Sequence, residues 1–315
     1  MGEFELIRTY FQPLADGAGQ DQLLLGPGDD CAIQRVPPGL DLVFSVDTLV
    51  EGVHFPSDYS PDHLGWRALA VAVSDLAAMG ASPVCFTLAL TLPDANPGWL
   101  KPFSEGLARA SKAFGIALAG GDTTRGSLTI TIQVHGTVDN GRALYRSGAK
   151  PGDLICVSGT LGAAGAALHY LAETDPSPAQ LALLSRYHFP QPRLELGQQL
   201  AGRASSAIDV SDGLLADLGH ILEASGTGAR IDTGRIPMMA ELVTLKGENA
   251  RDLALGAGDD YELCITIPPE IFETLEHSVA RELAVIGVIT SEPGLQLSGP
   301  APSGIQGYEH FGRPA

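Results

Sequence analysis

Positive charge is scarce in this chain of 315 residues: 19 lysines and arginines stand against 37 aspartates and glutamates, a formal net charge of −18 at pH 7. That balance excludes a nonspecific grip on a nucleic-acid backbone. A chain this acidic that nevertheless handled phosphates would have to recruit cations to do so. Long apolar runs are missing as well. No window approaches the roughly 18 consecutive apolar residues of a membrane span, and Met1-Gly2-Glu3-Phe4 has neither a basic nor an apolar leader region. The expectation is a soluble, cytoplasmic protein that does not engage a membrane. Cysteine is limited to Cys31, Cys85, Cys156 and Cys264, far apart and without CxxC or other metal-ligand spacing. Each lies in or beside an apolar stretch, so all four are expected as reduced core thiols. There is also no GxxxxGK(S/T) loop, no GxGxxG after a strand, no HExxH and no GxSxG, which removes the usual ATPase, dehydrogenase, metalloprotease and hydrolase readings.

What is present is enough apolar material for a sizeable core. At 44% hydrophobic residues over this length, two domains of roughly 150 residues are expected. The 38 glycines and 22 prolines are scattered between apolar runs, so they punctuate turns. Asp41–Val46, Cys85–Leu92 and Leu128–Val134 are short, β-rich and bounded by turn formers, and read as strands. His63–Met79 and Pro97–Phe114 carry apolar residues at helical spacing, with Gly80 and Gly115 placed as C-terminal caps. The polar stretch Arg146–Asp153 marks the boundary, giving domains 1–149 and 150–315. In the second, strands are expected at Leu154–Val157, Cys264–Ile267 and Ala284–Ile289, and helices at Leu161–Ala172, Leu194–Ala201 and Gly213–Ala224. The Gly159, Gly162 and Gly165 run is read as close helix packing in preference to a phosphate loop. The fold class is α+β in both halves.

Six short islands place aspartate beside glycine, serine or threonine: Gly28-Asp29-Asp30, Ser45-Val46-Asp47-Thr48, Ser74-Asp75, Gly120-Gly121-Asp122-Thr123, Asp209-Val210-Ser211-Asp212-Gly213 and Gly258-Asp259-Asp260. Most are expected at strand ends or helix starts. Each alone is an ordinary turn or N-cap. Their repetition, with hardly any lysine or arginine nearby, calls for a counter-charge. Oxygen donors without His or Cys select a hard cation, magnesium over zinc, and magnesium held by a few carboxylates keeps positions open for phosphate oxygens. At the fifth island a strand-to-helix junction would bring carboxylates and a hydroxyl together beside helix N–H groups that favour a phosphate.

In order and spacing, Gly26–Ala32, Ser45–Phe55, Ser74–Ala81, Gly120–Thr123, Arg146–Asp153, Ile208–Leu214, Asp260–Leu263 and Gly307–Phe311 resemble the thiamine-monophosphate kinase family over essentially the whole chain. The resemblance implies a two-domain fold like that of aminoimidazole ribonucleotide synthetase. Its N-terminal sheet would pair with a second copy in a homodimer. The implied reaction is transfer of the ATP γ-phosphoryl group to thiamine monophosphate, the last step in making thiamine diphosphate. It further implies several magnesium ions on Asp30, Ser45, the backbone at Val46, Asp47, Asp75, Asp122, Asp209 and Asp212. Nucleotide contacts would fall to Gly121, Asp122, Arg146 and Ser211, and substrate contacts to His54, Asp259 and Tyr308. Arg146, Asp75 and Asp122 would carry the catalysis. The family usually reads Gly-Gly-Glu-Asp-Tyr-Glu-Leu where this chain has Ala257–Leu263, so a shorter carboxylate, Asp259, stands at the substrate position. Val46 replaces a common threonine. Since the acceptor is already an ionised phosphate, alignment and charge neutralisation suffice and no phosphoenzyme is expected.

Two rival readings are weaker. Selenophosphate synthetase or the carbamoyl-dehydrating hydrogenase maturation protein, of the same superfamily, would call for a reactive Cys near a Lys in an N-terminal Gly-rich loop or a Cys at the C-terminus. Here no Cys or Lys precedes Cys31 and the sequence ends Gly312-Arg313-Pro314-Ala315. A non-enzymatic metal-binding sensor would most naturally use an EF-hand loop, and none is present.

Overall fold

The computed structural model describes residues 3–15 and 21–299. The chain forms two compact units, Met1–Leu76 with Ala81–Arg142 and Ala77–Gly80 with Ala143–Ala315.

The first unit runs α1 (Glu3–Leu6), β1 (Leu23–Leu25), β2 (Ile33–Gln34), β3 (Leu40–Val50), α2 (Pro61–Ala78), β4 (Ser82–Leu92), α3 (Pro97–Phe114), β5 (Ala117–Arg125) and β6 (Thr129–Asp139). Its main sheet has the order β3-β6-β4-β5, with β3 antiparallel to β6 in unbroken register from Leu40↔Asp139 to Val50↔Thr129. β4 and β5 are parallel, which requires the crossover that α3 supplies. That helix has clear ends: the Asn96 side chain accepts the Gly98 N–H at 2.9 Å, Pro97 opens the first turn, and Gly115 closes it at φ 63°. Phe86, Leu88, Leu90, Ile130 and Ile132 from the sheet and Leu69, Phe103 and Leu107 from the helices are buried.

Period-two alternation makes β3 two-faced. Ser45, Asp47 and Leu49 are wholly or partly buried, while Leu42, Phe44 and Val46 on the opposite face are 42%, 62% and 60% exposed.

The second unit runs β7 (Leu154–Ser158), α4 (Ala163–Ala167), α5 (Pro178–His188), α6 (Leu194–Leu200), β8 (Ser206–Asp209), α7 (Leu214–Ser225), β9 (Gly228–Asp232), α8 (Ala240–Lys246), α9 (Asn249–Gly256), β10 (Leu263–Ile267), α10 (Pro269–Phe272), α11 (His277–Ala280), β11 (Leu283–Thr290) and β12 (Gly294–Ser298). Its sheet order is β12-β9-β11-β7-β10-β8. Both faces are buried: Ile155, Val157 and Cys264 point into a cluster with Leu214, Leu218 and Ile221, while Cys156, Ile265 and Ile267 point into one with Leu196 and Leu200.

Most of the expected elements are present, and four expectations are corrected. The helix expected over Leu161–Ala172 is only Ala163–Ala167 followed by a 3-10 turn at Leu168–Tyr170. Gly162 adopts φ 84°, and a Cβ there would meet Ala254, as one on Gly165 would meet Ala257; these glycines serve close packing, as expected. The short strands β1 and β2 lie outside the expected set, as do β5, β8, β9 and β12, whose β pattern is diluted by glycine and polar residues. Cys85, Cys156 and Cys264 are buried and free, but Cys31 is exposed in the turn after β1, where acidic neighbours keep the chain in water. The islands, too, are not mostly at element ends: Ser45–Asp47 and Gly120–Asp122 lie within strands and Ser74-Asp75 within α2. Among the described residues no helix is long and apolar enough to cross a membrane.

Candidate active site

In the first unit, β3 and α2 bring three of the expected residues together. Ser45 Oγ donates a hydrogen bond to Asp75 Oδ2. Asp47, two residues along the same strand face, is pushed up to about 7 from the ordinary 3.8, first by burial and then by the charge of Asp75. Both causes act in the same direction. Oxygen-only donors of this kind fit a hard divalent cation.

At the opposite edge of the sheet from β3, β5 carries Gly120, Gly121 and Asp122, with Asp122 in register with Ala89 on β4 and exposed. A Cβ on Gly121 would run into the Leu88 carbonyl, whereas one on Gly120 would meet nothing within 4 Å. Asp30 is exposed in the turn after β1, its N–H donating to Asp29 Oδ1 at 2.8 Å. Val46 turns its side chain to the outer face, leaving only its backbone for the inner one. His54 lies half-buried in the turn after β3; its Nδ1 accepts the Val50 N–H at 3.0 Å, so the neutral ring carries its proton on Nε2. Among the described residues no three acidic, histidine or cysteine side chains converge as a ready-made metal cage.

In the second unit the expected strand-to-helix junction is present. β8 ends at Asp209, buried, and Ser211 and Asp212 lead through Gly213, at φ 115°, into α7. The N–H groups at this junction are already occupied: one oxygen of Asp217, in the first turn of α7, accepts from Ser211, Asp212 and Gly213, each at 3.1 Å. Burial, then the charge of Asp212, push Asp217 up to about 7, and the three N–H bonds pull the other way. These three groups are therefore not open to a phosphate.

The loop before β10 packs against this junction. Asp259 N–H donates to Ser211 O at 2.9 Å, Tyr261 N–H to Val210 O at 2.9 Å, and Val210 N–H to Glu262 O at 2.7 Å. Asp259 and Tyr261 both adopt positive φ, 70° and 50°, unusual for side-chain-bearing residues. Tyr261 Oη donates to Asp259 Oδ1 at 3.0 Å, so the tyrosine orients the carboxylate. Asp260 is buried and accepts from Gly162 N–H at 2.6 Å; burial raises it to about 8. Arg146 is exposed, and among the described residues its guanidinium has no protein partner, leaving it available to an anion. Tyr308 lies outside the described residues.

Residues 28–138 match the N-terminal domain, and residues 150–299 the C-terminal domain, of AIR synthase related proteins. The chain is 45% identical to the thiamine-monophosphate kinase of Escherichia coli K12, over 99% of each chain. It belongs to the thiamine-monophosphate kinase family. Among solved structures, that of the Stenotrophomonas maltophilia K279a thiamine-monophosphate kinase shares 43% identity at a TM-score of 0.84, covering 89% of this chain and 92% of that one. AaThiL complexed with AMPPCP and TMP shares 31% at a TM-score of 0.80, covering 88% and 89%.

Two buried carboxylates in this family member have no role in the motif reading, although Glu262 falls inside the Asp260–Leu263 motif. Asp217 is one; an acid in the first turn of an apolar helix was its only signal. The other is Glu262, 1% exposed, which accepts from Arg186 Nη2, from Arg193 Nε and Nη2 and from Ser158 Oγ, all at 2.6 Å. A carboxylate opening the apolar run Leu263–Ile267 pointed to a buried charge, but its arginine partners lie 76 and 69 residues away.

Proposed function

We propose that this protein phosphorylates thiamine monophosphate with ATP, yielding thiamine diphosphate and ADP. The observation that carries this reading is the end-to-end likeness to curated thiamine-monophosphate kinases. A terminal oxygen of the acceptor phosphate attacks the γ-phosphorus, a new P–O–P link forms, and the bond from the γ-phosphorus to the β–γ bridging oxygen breaks, its electron pair leaving on ADP. The acceptor is ionised at neutral pH, so no side chain need act as nucleophile; alignment and charge neutralisation lower the barrier.

The residues assigned to magnesium are Asp30, Ser45, the Val46 backbone, Asp47, Asp75 and Asp122 in the first unit and Asp209 and Asp212 in the second. The closeness of Asp47 and Asp75, whose charge adds to burial in raising Asp47, supports that assignment. Bound magnesium would offset the negative charge of the polyphosphate. Gly121, Asp122, Arg146 and Ser211 are assigned to the nucleotide, and His54, Asp259 and Tyr308 to thiamine monophosphate. Residues 1–149 form the metal- and ATP-handling and dimerisation domain of this reading, and 150–315 the C-terminal domain. The exposed apolar row Leu42, Phe44 and Val46 supports a homodimer through the outer face of the first sheet. The reading places the protein in the cytoplasm.

The test is ADP release from ATP and magnesium with thiamine monophosphate, free thiamine or no acceptor. Turnover is expected only with thiamine monophosphate, and Asp75→Asn should lower it at least about 100-fold. Equal turnover with free thiamine would overturn the acceptor assignment, and retention of configuration at a chiral γ-phosphorus would overturn direct transfer.

A further inference from the structure

Asp217 has no assigned part in this chemistry, yet it organises the loop that does. Its side chain is 2% exposed and sits in the apolar cluster that contains Leu214, Leu218 and Ile221. A carboxylate there is unfavourable unless paired, and no lysine or arginine pairs with it among the described residues. Its partners are instead three consecutive backbone N–H groups, of Ser211, Asp212 and Gly213. From the other side the same stretch is held by the 258–262 loop: Ser211 O and Val210 O each accept an N–H, and a Cβ on Gly258 would strike the Ser211 carbonyl. The backbone between Asp209 and Gly213 is thus clamped on its N–H side by one buried side chain and on its C=O side by a loop.

We propose, resting on the kinase reading above, that Asp217 is a positioning residue for phosphoryl transfer. It holds the Asp209–Gly213 loop in the one backbone conformation in which Asp209, Ser211 and Asp212 serve the metal–nucleotide complex. The same carboxylate closes the start of α7 to a bare phosphate, because the three N–H groups are taken.

The experiment compares wild type with Asp217→Asn, which keeps the shape but loses the charge, with Asp217→Glu, and with Leu218→Ala, a cavity in the same turn that leaves the loop contacts intact. Asp217→Asn should speed amide hydrogen exchange at Ser211, Asp212 and Gly213. It should also raise the magnesium concentration for half-maximal rate about 10- to 100-fold, the usual effect of losing a group that orients metal ligands, with the KM for thiamine monophosphate unchanged. Leu218→Ala should lower the melting temperature without moving the magnesium dependence. If Asp217→Asn does not fold, Asp217→Glu, which displaces the carboxylate by one methylene, is read the same way. Unchanged exchange and unchanged magnesium dependence in a folded variant would overturn the proposal, as would a magnesium shift of equal size in Leu218→Ala. Should wild type fail to phosphorylate thiamine monophosphate, the kinase reading falls separately. Exchange at the three amides and calorimetric binding of magnesium with ADP then decide the role of Asp217.

Discussion

Asp47 offers the most direct link between a single residue and a measurable pH effect. Its folded-state pKa, about 7, lies above the ordinary 3.8, so the folded chain without metal holds a proton there that the unfolded chain releases. The stability contributed by that proton is fully present below about pH 4 and is lost as pH rises through 7. If Asp47 is a magnesium ligand, as proposed, only its carboxylate form binds the ion, so cation and proton compete. Half-saturating magnesium is expected to be about tenfold higher at pH 6 than at pH 8. Asp47→Asn should weaken binding and flatten the profile; a profile unchanged by that substitution would remove Asp47 from the metal site. Glu262 makes the opposite case, a buried carboxylate fully compensated by Arg186, Arg193 and Ser158, and it holds the Arg193 guanidinium more firmly protonated. Glu262→Gln leaves two arginines facing a neutral group and should cost about 3–5 kcal/mol of unfolding free energy by denaturant titration. A change below about 1 kcal/mol would show the pair to be solvated.

At the scale of elements, the close approach of β4 and β5 is what makes a glycine pair at 120–121 informative. A Cβ on Gly121 collides with the Leu88 carbonyl across the parallel pair, whereas Gly120 faces open space. Gly121→Ala should therefore destabilise the first unit by roughly 1–3 kcal/mol and impair nucleotide binding, while Gly120→Ala should leave thermal melting nearly unchanged. Equal effects from both would mean that the pair matters for flexibility and not for spacing. The long elements were readable beforehand because their signals are local: the 3.6-residue periodicity of α2 and α3, the capping glycines, and the β-rich runs of β3, β4 and β6. β5 was hidden because its glycines and aspartate have poor strand propensity, and only pairing with β4 makes Ala117–Arg125 extended.

For the whole molecule, an exposed row of Leu42, Phe44 and Val46 on an edge strand is a liability unless another surface covers it. Phe44→Asp is expected to convert a dimer into a species of 32.8 kDa in sedimentation equilibrium, with the melting temperature falling accordingly; a wild type already monomeric at high concentration would defeat the dimer reading. The sequence by itself raised the expectation of a reliance on cations, through six aspartate islands in a chain poor in lysine and arginine, and determined the family, through motifs in a fixed order. These are properties of composition and linear spacing, and they survive without any knowledge of the fold. Tertiary structure alone decided which carboxylates face one another. Asp47 meets Asp75 because a strand and a helix pack together. Asp217 closes the start of α7 because a buried side chain folds back on its own junction. Glu262 finds Arg193, 69 residues away, because the fold brings the start of α6 against the start of β10. Such pairings are set by long-range register and burial, which leave almost no trace in local sequence.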